Sequence, residues 1–267
     1  ENAFLASGES AGIGIRLSID SPARRVFVSE AFEGAPGLAA GIDRGDEITA
    51  IGTSSASLRS VSDIIAAEGS AGITNALGPN TAGLSRVLRV TRGSTSREVS
   101  VTKAVFDLPA VSSRYGSRII QDGSRQIGYI NLRTFISSAD TPLREAFASF
   151  RAAGITEFII DFRYNGGGLV STAELMGDLL GGNRSSNDLF SGVRFRASKS
   201  ARNENRLFAP RAESVSPVKI AFIGTGATAS ASELVINSMA PYLGRNLALI
   251  GANTFGKPVG QIALDRS

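Results

Sequence analysis

Short runs in which apolar and polar residues alternate dominate the first hundred residues of the chain. Such alternation places the apolar side chains on one face and is typical of β-strands that cover a core. One segment has helical spacing instead, because Val61, Ile64 and Ile65 follow Ser60, a suitable amino-terminal cap. The pattern predicts a small β-rich module with one helix at residues 60–68. The expected strands lie near residues 12–15, 25–28, 47–51, 87–90 and 99–101.

From about Gln126 onward, apolar runs alternate with amphipathic segments. The run at residues 157–162 is apolar on both faces, as expected of a strand inside a parallel sheet. Repeated strand–helix units predict a mainly parallel sheet covered by helices. Pro241 is expected to end the last helix, and residues 182–216, rich in Asn, Ser and Arg, to form a surface excursion. The expected strands are 127–132, 157–162, 219–223 and 247–250, and the expected helices 141–153, 171–180 and 230–239.

Cys, His and Trp are absent from all 267 positions. Their absence excludes a thiol nucleophile, a disulfide framework, a Ser-His-Asp triad and an ordinary zinc site. The net charge of +4 is spread along the chain without a Lys or Arg run, so nucleic-acid binding is not predicted. No apolar stretch approaches about 20 residues, so no transmembrane segment is predicted. Any acid–base chemistry must therefore come from Lys, Asp, Glu, Tyr or Arg.

Two motifs match known patterns that their surroundings do not support. Gly224-Thr-Gly-Ala-Thr-Ala229 has the form of a dinucleotide fingerprint, but no acidic residue follows about 20 positions later to bind a ribose. Ser100 and Lys103 fit the S-x-x-K pattern of penicillin-recognising enzymes, yet they lie in an alternating strand without the companion motifs. Neither site is predicted.

Ser230-Ala-Ser-Glu233 stands where a glycine-rich turn leaves an apolar strand and enters a helix. One interpretation is a capping box, in which Ser230 caps the helix and Glu233 reaches back. The other is a nucleophile, because N–H groups and the helix dipole at such a position stabilise an oxyanion. The base it needs could be Lys257, in the loop beyond the next strand, which returns to the same sheet edge. The alternative for Lys257 is an ordinary exposed lysine.

A glycine-rich turn, Asp161-Phe-Arg-Tyr-Asn-Gly-Gly-Gly168, follows the buried strand. Three glycines allow a ligand to approach the backbone and its N–H groups, as an oxyanion hole requires. Glycine-rich turns between strand and helix are also frequent in α/β folds that bind nothing there.

The order of these motifs resembles the S41 peptidases, the carboxy-terminal (tail-specific) processing proteases. Asp161-Phe-Arg-Tyr-Asn-Gly-Gly-Gly168 comes first and Ser230-Ala-Ser-Glu233 second. Thr254-Phe-Gly-Lys257 comes third, with Gln261 four residues after the lysine. Residues 128–132 also resemble the strand that opens the core of those proteases.

The first half resembles the PDZ domain that these proteases carry before their catalytic core. The similar segments are residues 11–17, 34–42 and 44–51. The resemblance implies a PDZ domain over residues 9–105 and an S41 serine protease core over residues 106–267. That core is of the crotonase-like (ClpP/crotonase spiral) α/β fold. The chain stops at Ser267, whereas the family core usually continues, so the core is expected to be incomplete at its carboxy terminus.

The resemblance also implies roles for individual residues. Ser230 is the nucleophile and Lys257 the general base, and Gln261 helps to orient the lysine. The oxyanion hole is expected from the N–H groups of Ala231 and of Gly167 or Gly168. No metal or cofactor is needed.

The implied PDZ domain predicts that the substrates are proteins or peptides with exposed carboxy termini. Their terminal carboxylate would bind the backbone N–H groups of a loop formed by Gly12, Ile13, Gly14 and Ile15. The alternative for this loop is a plain strand of a scaffold module. By resemblance, the protein is expected in the periplasm or cell envelope.

Pro258 departs from the family pattern, which usually has Gly after the catalytic lysine. Proline removes an N–H and fixes the turn, so the lysine geometry could differ. A second hypothesis is therefore a catalytically impaired, PDZ-containing binding or adaptor protein of the same fold. A third is a different crotonase-like hydrolase that acts on a small ester or thioester, although such a substrate gives a PDZ domain nothing to bind.

Overall fold

The alternating and the continuous apolar runs fold into two separate compact units. A computed structural model describes residues 4–5 and 8–260 of the chain. The amino-terminal unit is Gly8–Leu108, and the carboxy-terminal unit comprises residues 4–5 and 109–260. Each unit has its own cluster of buried apolar side chains.

The amino-terminal unit is mostly antiparallel β-structure. Its sheet has the strand order β2-β3-β4-β6-β7, with β5 paired to β4, and β1 and β8 form a second antiparallel pair. The strands are β1 (Glu9–Gly12), β2 (Ile15–Asp20), β3 (Arg25–Ala31), β4 (Glu47–Gly52), β5 (Arg59–Ser60), β6 (Ser85–Arg92), β7 (Thr95–Thr102) and β8 (Ala104–Asp107). The helices are α1 (Pro36–Ala39), α2 (Val61–Leu77) and the 3₁₀ turn Ser55–Ser57.

Helix α2 covers one face of this sheet and is longer than expected. The hydroxyl of Ser60 accepts the N–H of Asp63 at 3.0 Å, so the predicted cap is confirmed. The helix runs to Leu77 rather than to residue 68, with a break at Gly69, where φ is 67°. Only glycine adopts that conformation without strain, so the helical pattern resumes after the break and buries Ile73 as well.

The carboxy-terminal unit is built on a five-stranded sheet with helices between its strands. The order is β15-β14-β11-β10-β9; only β9 is antiparallel to its neighbour. Its strands, with the hairpin β12–β13, are β9 (Ser117–Asp122), β10 (Arg125–Asn131), β11 (Glu157–Asp161), β12 (Leu189–Val193), β13 (Glu204–Leu207), β14 (Lys219–Gly224) and β15 (Leu247–Gly251). The helices are α3 (Asp140–Ala152), α4 (Val170–Leu180), α5 (Ala231–Leu243) and the 3₁₀ turns Ser137–Ala139, Ala197–Arg202 and Gly244–Asn246.

Residues 182–216 are not the bare surface excursion that their polar composition indicates. They contain the β12–β13 hairpin, and Phe190 and Phe208 pack edge to face at 5.4 Å in the core. The fully buried carboxylate of Asp178 accepts hydrogen bonds from Arg206 and from the N–H of Ala209. A few aromatic anchors and one buried carboxylate therefore fix a segment of low average hydropathy.

Pro241 does not end helix α5, so that expectation is wrong. The helix continues through Leu243, with Pro241 inside its last turn. The ring of Tyr242 packs on Phe208 at 5.4 Å, and its hydroxyl donates to the carbonyl of Leu189. These contacts hold the last turn in place although proline removes one helical hydrogen bond and crowds the carbonyl four residues earlier.

Candidate active site at the carboxyl edge of the sheet

Three loops meet at one edge of the carboxy-terminal sheet. Strands β11, β14 and β15 are parallel, so the segments that follow them leave the sheet on the same side. We call them the glycine turn (residues 163–168), the serine turn (residues 225–230) and the lysine loop (residues 252–257). They contain most of the residues that the sequence singles out in this unit.

Asp161 fixes the start of the glycine turn. Its carboxylate is fully buried and accepts the hydroxyl of Tyr129 at 2.8 Å and the guanidinium of Arg163 at 2.6 Å. Burial, and next to it the Asp161 carboxylate, raise the pKa of Tyr129 to about 12. Tyr129 therefore stays protonated and donates to Asp161 at neutral pH.

Asn165 connects the glycine turn to its neighbours. This fully buried side chain donates to the carbonyl of Leu132 at 2.8 Å and accepts the N–H of Gly167 at 2.9 Å. Its main-chain carbonyl accepts the N–H of Ala229 and the hydroxyl of Ser232, both at 3.0 Å. Asn165 thus ties the glycine turn to the serine turn on both sides of Ser230.

Gly167 lies directly against Ser230. A Cβ on Gly167 would stand 2.8 Å from the Ser230 Cβ and 2.9 Å from the N of Ala231. The φ of Gly167 is 100°, a value that residues with a side chain rarely adopt. This position therefore needs glycine for both its conformation and the contact.

We expect Gly167→Ala to lower catalytic activity by about 10²-fold, because the new methyl group displaces Ser230 by a fraction of an ångström or more. The matched control is Gly166→Ala. A Cβ there meets nothing within 4 Å, and its φ is not in the left-handed region. Hydrolysis rates of the two variants give the test, and equal activity of both would contradict this role of Gly167.

Ser230 has a strained backbone at the start of helix α5. Its φ is 57° and its ψ is −116°, a conformation that non-glycine residues adopt at a cost of about 1–3 kcal/mol. The side chain is half-buried, and its N–H donates to the carboxylate of Glu233 at 2.7 Å. Strain of this kind at a turn between strand and helix is typical of nucleophilic serines.

Glu233 holds the serine turn and the lysine loop together. Besides the N–H of Ser230, its carboxylate accepts the N–H of Gly256 at 2.6 Å and that of Lys257 at 2.9 Å. Burial raises the pKa of Glu233, but hydrogen bonds from Thr254 and from these three N–H groups outweigh it, so the pKa is below the ordinary value of 4.5. Glu233 therefore reaches back to Ser230, as the capping box predicts, and also binds the loop that carries the lysine.

We expect Glu233→Gln to destabilise the carboxy-terminal unit by about 1.5–3 kcal/mol at neutral pH, because it removes hydrogen bonds to a charged acceptor. The folded pKa of Glu233 is depressed, so its contribution is present above pH 4.5 and is lost as pH falls through the folded pKa. The stability difference between wild type and Glu233→Gln should therefore shrink between pH 7 and pH 3. Urea unfolding at several pH values measures it, with the exposed Glu204→Gln as control; a constant difference would contradict the assignment.

The sequence-predicted residues of this unit lie as follows. Lys257 is partly exposed in the lysine loop, and Pro258 follows it on the surface. Ala231 is buried at the first position of α5. Gln261 lies outside the described residues.

Sequence reasoning did not single out Asn165 as a site residue and gave Glu233 only the role of a cap. The signal for Asn165 was its place just before three glycines, where a buried amide can satisfy turn N–H groups. No sequence signal connects Glu233 to residues 256 and 257, which are more than 20 positions away.

The predicted carboxylate loop of the amino-terminal unit borders a cavity of about 140 Å³. Gly12, Ile13, Gly14 and Ile15 all line it. Gly14 has a φ of 75°, and a Cβ there would stand 2.0 Å from the Cβ of Ala35. Gly12 ends β1 and Ile15 begins β2, so Ile13 and Gly14 form a tight turn between the two strands.

Within residues 4–5 and 8–260, no cluster of three or more carboxylates could hold a metal ion. None of the helices in that part of the chain is long and apolar enough to cross a membrane.

In α/β-hydrolases the nucleophilic serine lies on such a strained turn between strand and helix, next to N–H groups that can bind an oxyanion. The turn that carries Ser230 has this local backbone geometry. The chain belongs to peptidase family S41, whose family model matches residues 126–265.

Relatives in sequence are processing peptidases. The chain is 26% identical over 277 residues to the chloroplastic C-terminal processing peptidase of Tetradesmus obliquus, covering 98% of this chain and 54% of that protein. It is 31% identical over 167 residues to the chloroplastic carboxyl-terminal-processing peptidase 2 of Arabidopsis thaliana, covering 61% of this chain and 30% of that protein. The chain thus spans about half the length of the first relative and less of the second.

Solved structures share the fold over nearly the whole chain. A crystal structure from Bacteroides fragilis that is assigned to the S41 proteases has a TM-score of 0.70 at 21% identity, covering 94% of this chain and 68% of that one. The photosystem II D1 C-terminal processing protease has a TM-score of 0.52 at 20% identity, covering 96% and 64%.

Proposed function

We propose that this protein is a serine endopeptidase of the C-terminal processing type, with Ser230 as the nucleophile and Lys257 as the general base. The observation that carries the proposal is the Glu233 carboxylate, which binds the main-chain N–H groups of Ser230 and Lys257 at 2.7 and 2.9 Å. A single side chain thus limits how far the two residues can move apart. In a chain without His or Cys, a Ser–Lys pair is also nearly the only hydrolytic nucleophile system that composition leaves.

In the acylation step, the neutral amine of Lys257 takes the hydroxyl proton of Ser230 while the serine Oγ bonds to the carbonyl carbon of the scissile peptide. The tetrahedral intermediate collapses when the C–N bond breaks. The lysine ammonium gives its proton to the leaving amine, which departs with the carboxy-terminal fragment. An acyl ester on Ser230 is left.

In the deacylation step, water attacks the ester carbonyl and gives its proton to Lys257. The ester C–O bond breaks, and the proton passes from the lysine to the Oγ of Ser230. We propose that Gln261, four residues after Lys257, helps to orient its amine.

For the oxyanion hole we propose the N–H groups of Ala231 and Gly168. The N–H of Gly167 already donates to Asn165. In the part of the chain that the structure describes, the N–H groups of Ala231 and Gly168 have no hydrogen-bond partner. Both flank the Gly167–Ser230 contact, so they suit an oxygen bound to a carbon at the serine Oγ.

We propose that residues 9–105, which make up most of the amino-terminal unit, are a PDZ domain that captures substrate carboxy termini, and that residues 106–267 are a crotonase-like S41 core. Strand β2 is an edge strand and could accept a peptide by strand addition. The tight loop at Gly12–Ile15 and the cavity beside it lie at the start of that strand. A periplasmic or envelope location is proposed by family resemblance alone.

The proposal is tested with a folded reporter protein that ends in an unstructured apolar tail. We expect the full chain to cleave within this tail and to release short fragments that mass spectrometry identifies. In a control reporter the tail is followed by a second folded domain, so that the tail has no free carboxy terminus. We expect cleavage of this reporter to be at least about 10-fold slower. Equal cleavage of the two reporters would contradict tail recognition, and cleavage of neither would contradict the peptidase.

A further inference from the structure

The cavity of the amino-terminal unit is lined mainly by apolar side chains, with Ser10, Asn80 and one lysine as the polar ones. It lies between the loop at residues 10–15 and the carboxy-terminal end of α2. The apolar lining includes Ile13, Leu17, Phe32, Leu77 and Phe106.

Lys103 is the cation of this lining, and it is 2% exposed. Its Nζ donates to the carbonyl oxygens of Leu77, Gly78 and Pro79 at 2.8, 2.9 and 2.7 Å. These carbonyls lie at and just after the carboxy-terminal end of α2, where the helix dipole is negative. Lys103 therefore covers a helix end that faces the cavity.

Arg86 places a second cation at the same helix end. It is 9% exposed, and its Nε donates to the carbonyl of Ala76 at 2.8 Å. Its Nη2 lies beside Gly78, where a Cβ would stand 2.3 Å away, and the φ of 70° at Gly78 favours glycine. The guanidinium thus occupies a defined position beside the lysine.

Neither cation forms an ion pair with a carboxylate within residues 4–5 and 8–260. Burial lowers the pKa of Lys103, and the charge of Arg86 lowers it further. Both cations are buried, and the hydrogen-bond partners of each are main-chain carbonyls. Together they carry more positive charge than the negative end of the helix dipole, about half a charge, can balance. The cavity therefore favours an anion.

A carboxylate that entered this cavity without the two cations would face the negative end of α2. With Lys103 and Arg86 in place, the electrostatic potential in the cavity becomes positive. The apolar lining can then accept the last side chain of a peptide whose terminal carboxylate enters the cavity. We propose that Lys103, supported by Arg86, makes this cavity selective for peptides that end in a free carboxylate. The inference rests on the proposed capture of carboxy termini and assigns its charge selectivity to a buried lysine.

The test uses the full chain with Ser230→Ala, so that bound peptide is not consumed. The probes are one fluorescein-labelled hexapeptide with an apolar carboxy-terminal residue, prepared as the free acid and as the carboxamide. By fluorescence anisotropy, we expect the acid to bind at least about 10-fold more tightly than the amide. In the same background, Lys103→Gln keeps two donors for the carbonyls, removes the charge and should reduce that ratio to about 3-fold or less.

Lys103→Arg restores the charge and should recover part of the ratio, whereas the exposed Lys199→Gln is the matched control that leaves it unchanged. If the protein with Lys103 intact binds the acid and the amide equally, the inference is overturned. This outcome does not depend on whether the Lys103 variants fold. An unchanged ratio in folded Lys103→Gln overturns the role of the lysine but leaves tail capture intact. With Ser230 present and Lys103 unchanged, hydrolysis of a short internal peptide tests the peptidase proposal by itself, so failure of that proposal is distinguished from failure of this inference.

Discussion

Ser230→Ala is expected to lower kcat/KM for peptide hydrolysis by at least about 10³-fold. The substitution removes the Oγ that forms the acyl bond but keeps the Cβ that contacts Gly167. The hydrogen bond from the Ser230 N–H to Glu233 belongs to the main chain and should remain. We therefore expect the folded structure to be retained, which circular dichroism and thermal unfolding check.

The matched control is Ser238→Ala on the same helix. Ser238 lies about two turns after Ser230 and donates its hydroxyl to the carbonyl of Leu234, one turn earlier. With a fluorogenic peptide as the substrate of both variants, Ser238→Ala should hydrolyse it at a rate within about 3-fold of wild type. Undiminished turnover by Ser230→Ala would show that another group is the nucleophile.

Lys257→Met is expected to reduce hydrolysis by about 10²–10⁴-fold, the usual range for loss of a general base. The side chain keeps similar length and its apolar stem, so packing of the lysine loop should change little. The main-chain N–H of residue 257 still donates to Glu233. The rate loss should therefore appear in kcat rather than in KM.

Two further variants separate proton transfer from charge. Lys257→Arg keeps a cation but should stay inactive, because a guanidinium does not lose its proton in proteins. Lys219→Met removes a lysine that pairs with Glu157 at 3.7 Å, and it should behave like wild type. Substantial activity in Lys257→Arg would mean that the lysine acts only through its positive charge.

Much of the carboxy-terminal unit could be predicted because its strands and helices have clear periodicity. Strand β11 was expected at residues 157–162 and is Glu157–Asp161; helix α4 was expected at 171–180 and is Val170–Leu180. The hairpin in residues 182–216 and the last turn of α5 were missed. Both depend on contacts between distant residues, such as Phe208 with Tyr242, which outweigh local composition and the proline.

In the candidate site, too, the sequence predicts the general placement of the loops but not the contacts between distant residues. Parallel strands predict that the loops after β11, β14 and β15 meet at one edge, and these loops do so. The main-chain carbonyl of Asn165 and the carboxylate of Glu233 hold the loops together, and each accepts an N–H group of a segment remote in sequence. A motif names the chemistry of a side chain, whereas these contacts exist only after the sheet has formed.

The most direct test of the Ser–Lys assignment is covalent labelling with a fluorophosphonate, followed by mass spectrometry of the modified peptide. Fluorophosphonates phosphonylate serines whose hydroxyl is activated, with loss of fluoride. We expect a single modified residue, Ser230, in the wild-type protein, and no labelling in Ser230→Ala or Lys257→Met. The Ser–Lys assignment would be contradicted if the folded wild-type protein is not labelled. It would also be contradicted if Ser230 is labelled at the full rate in Lys257→Met.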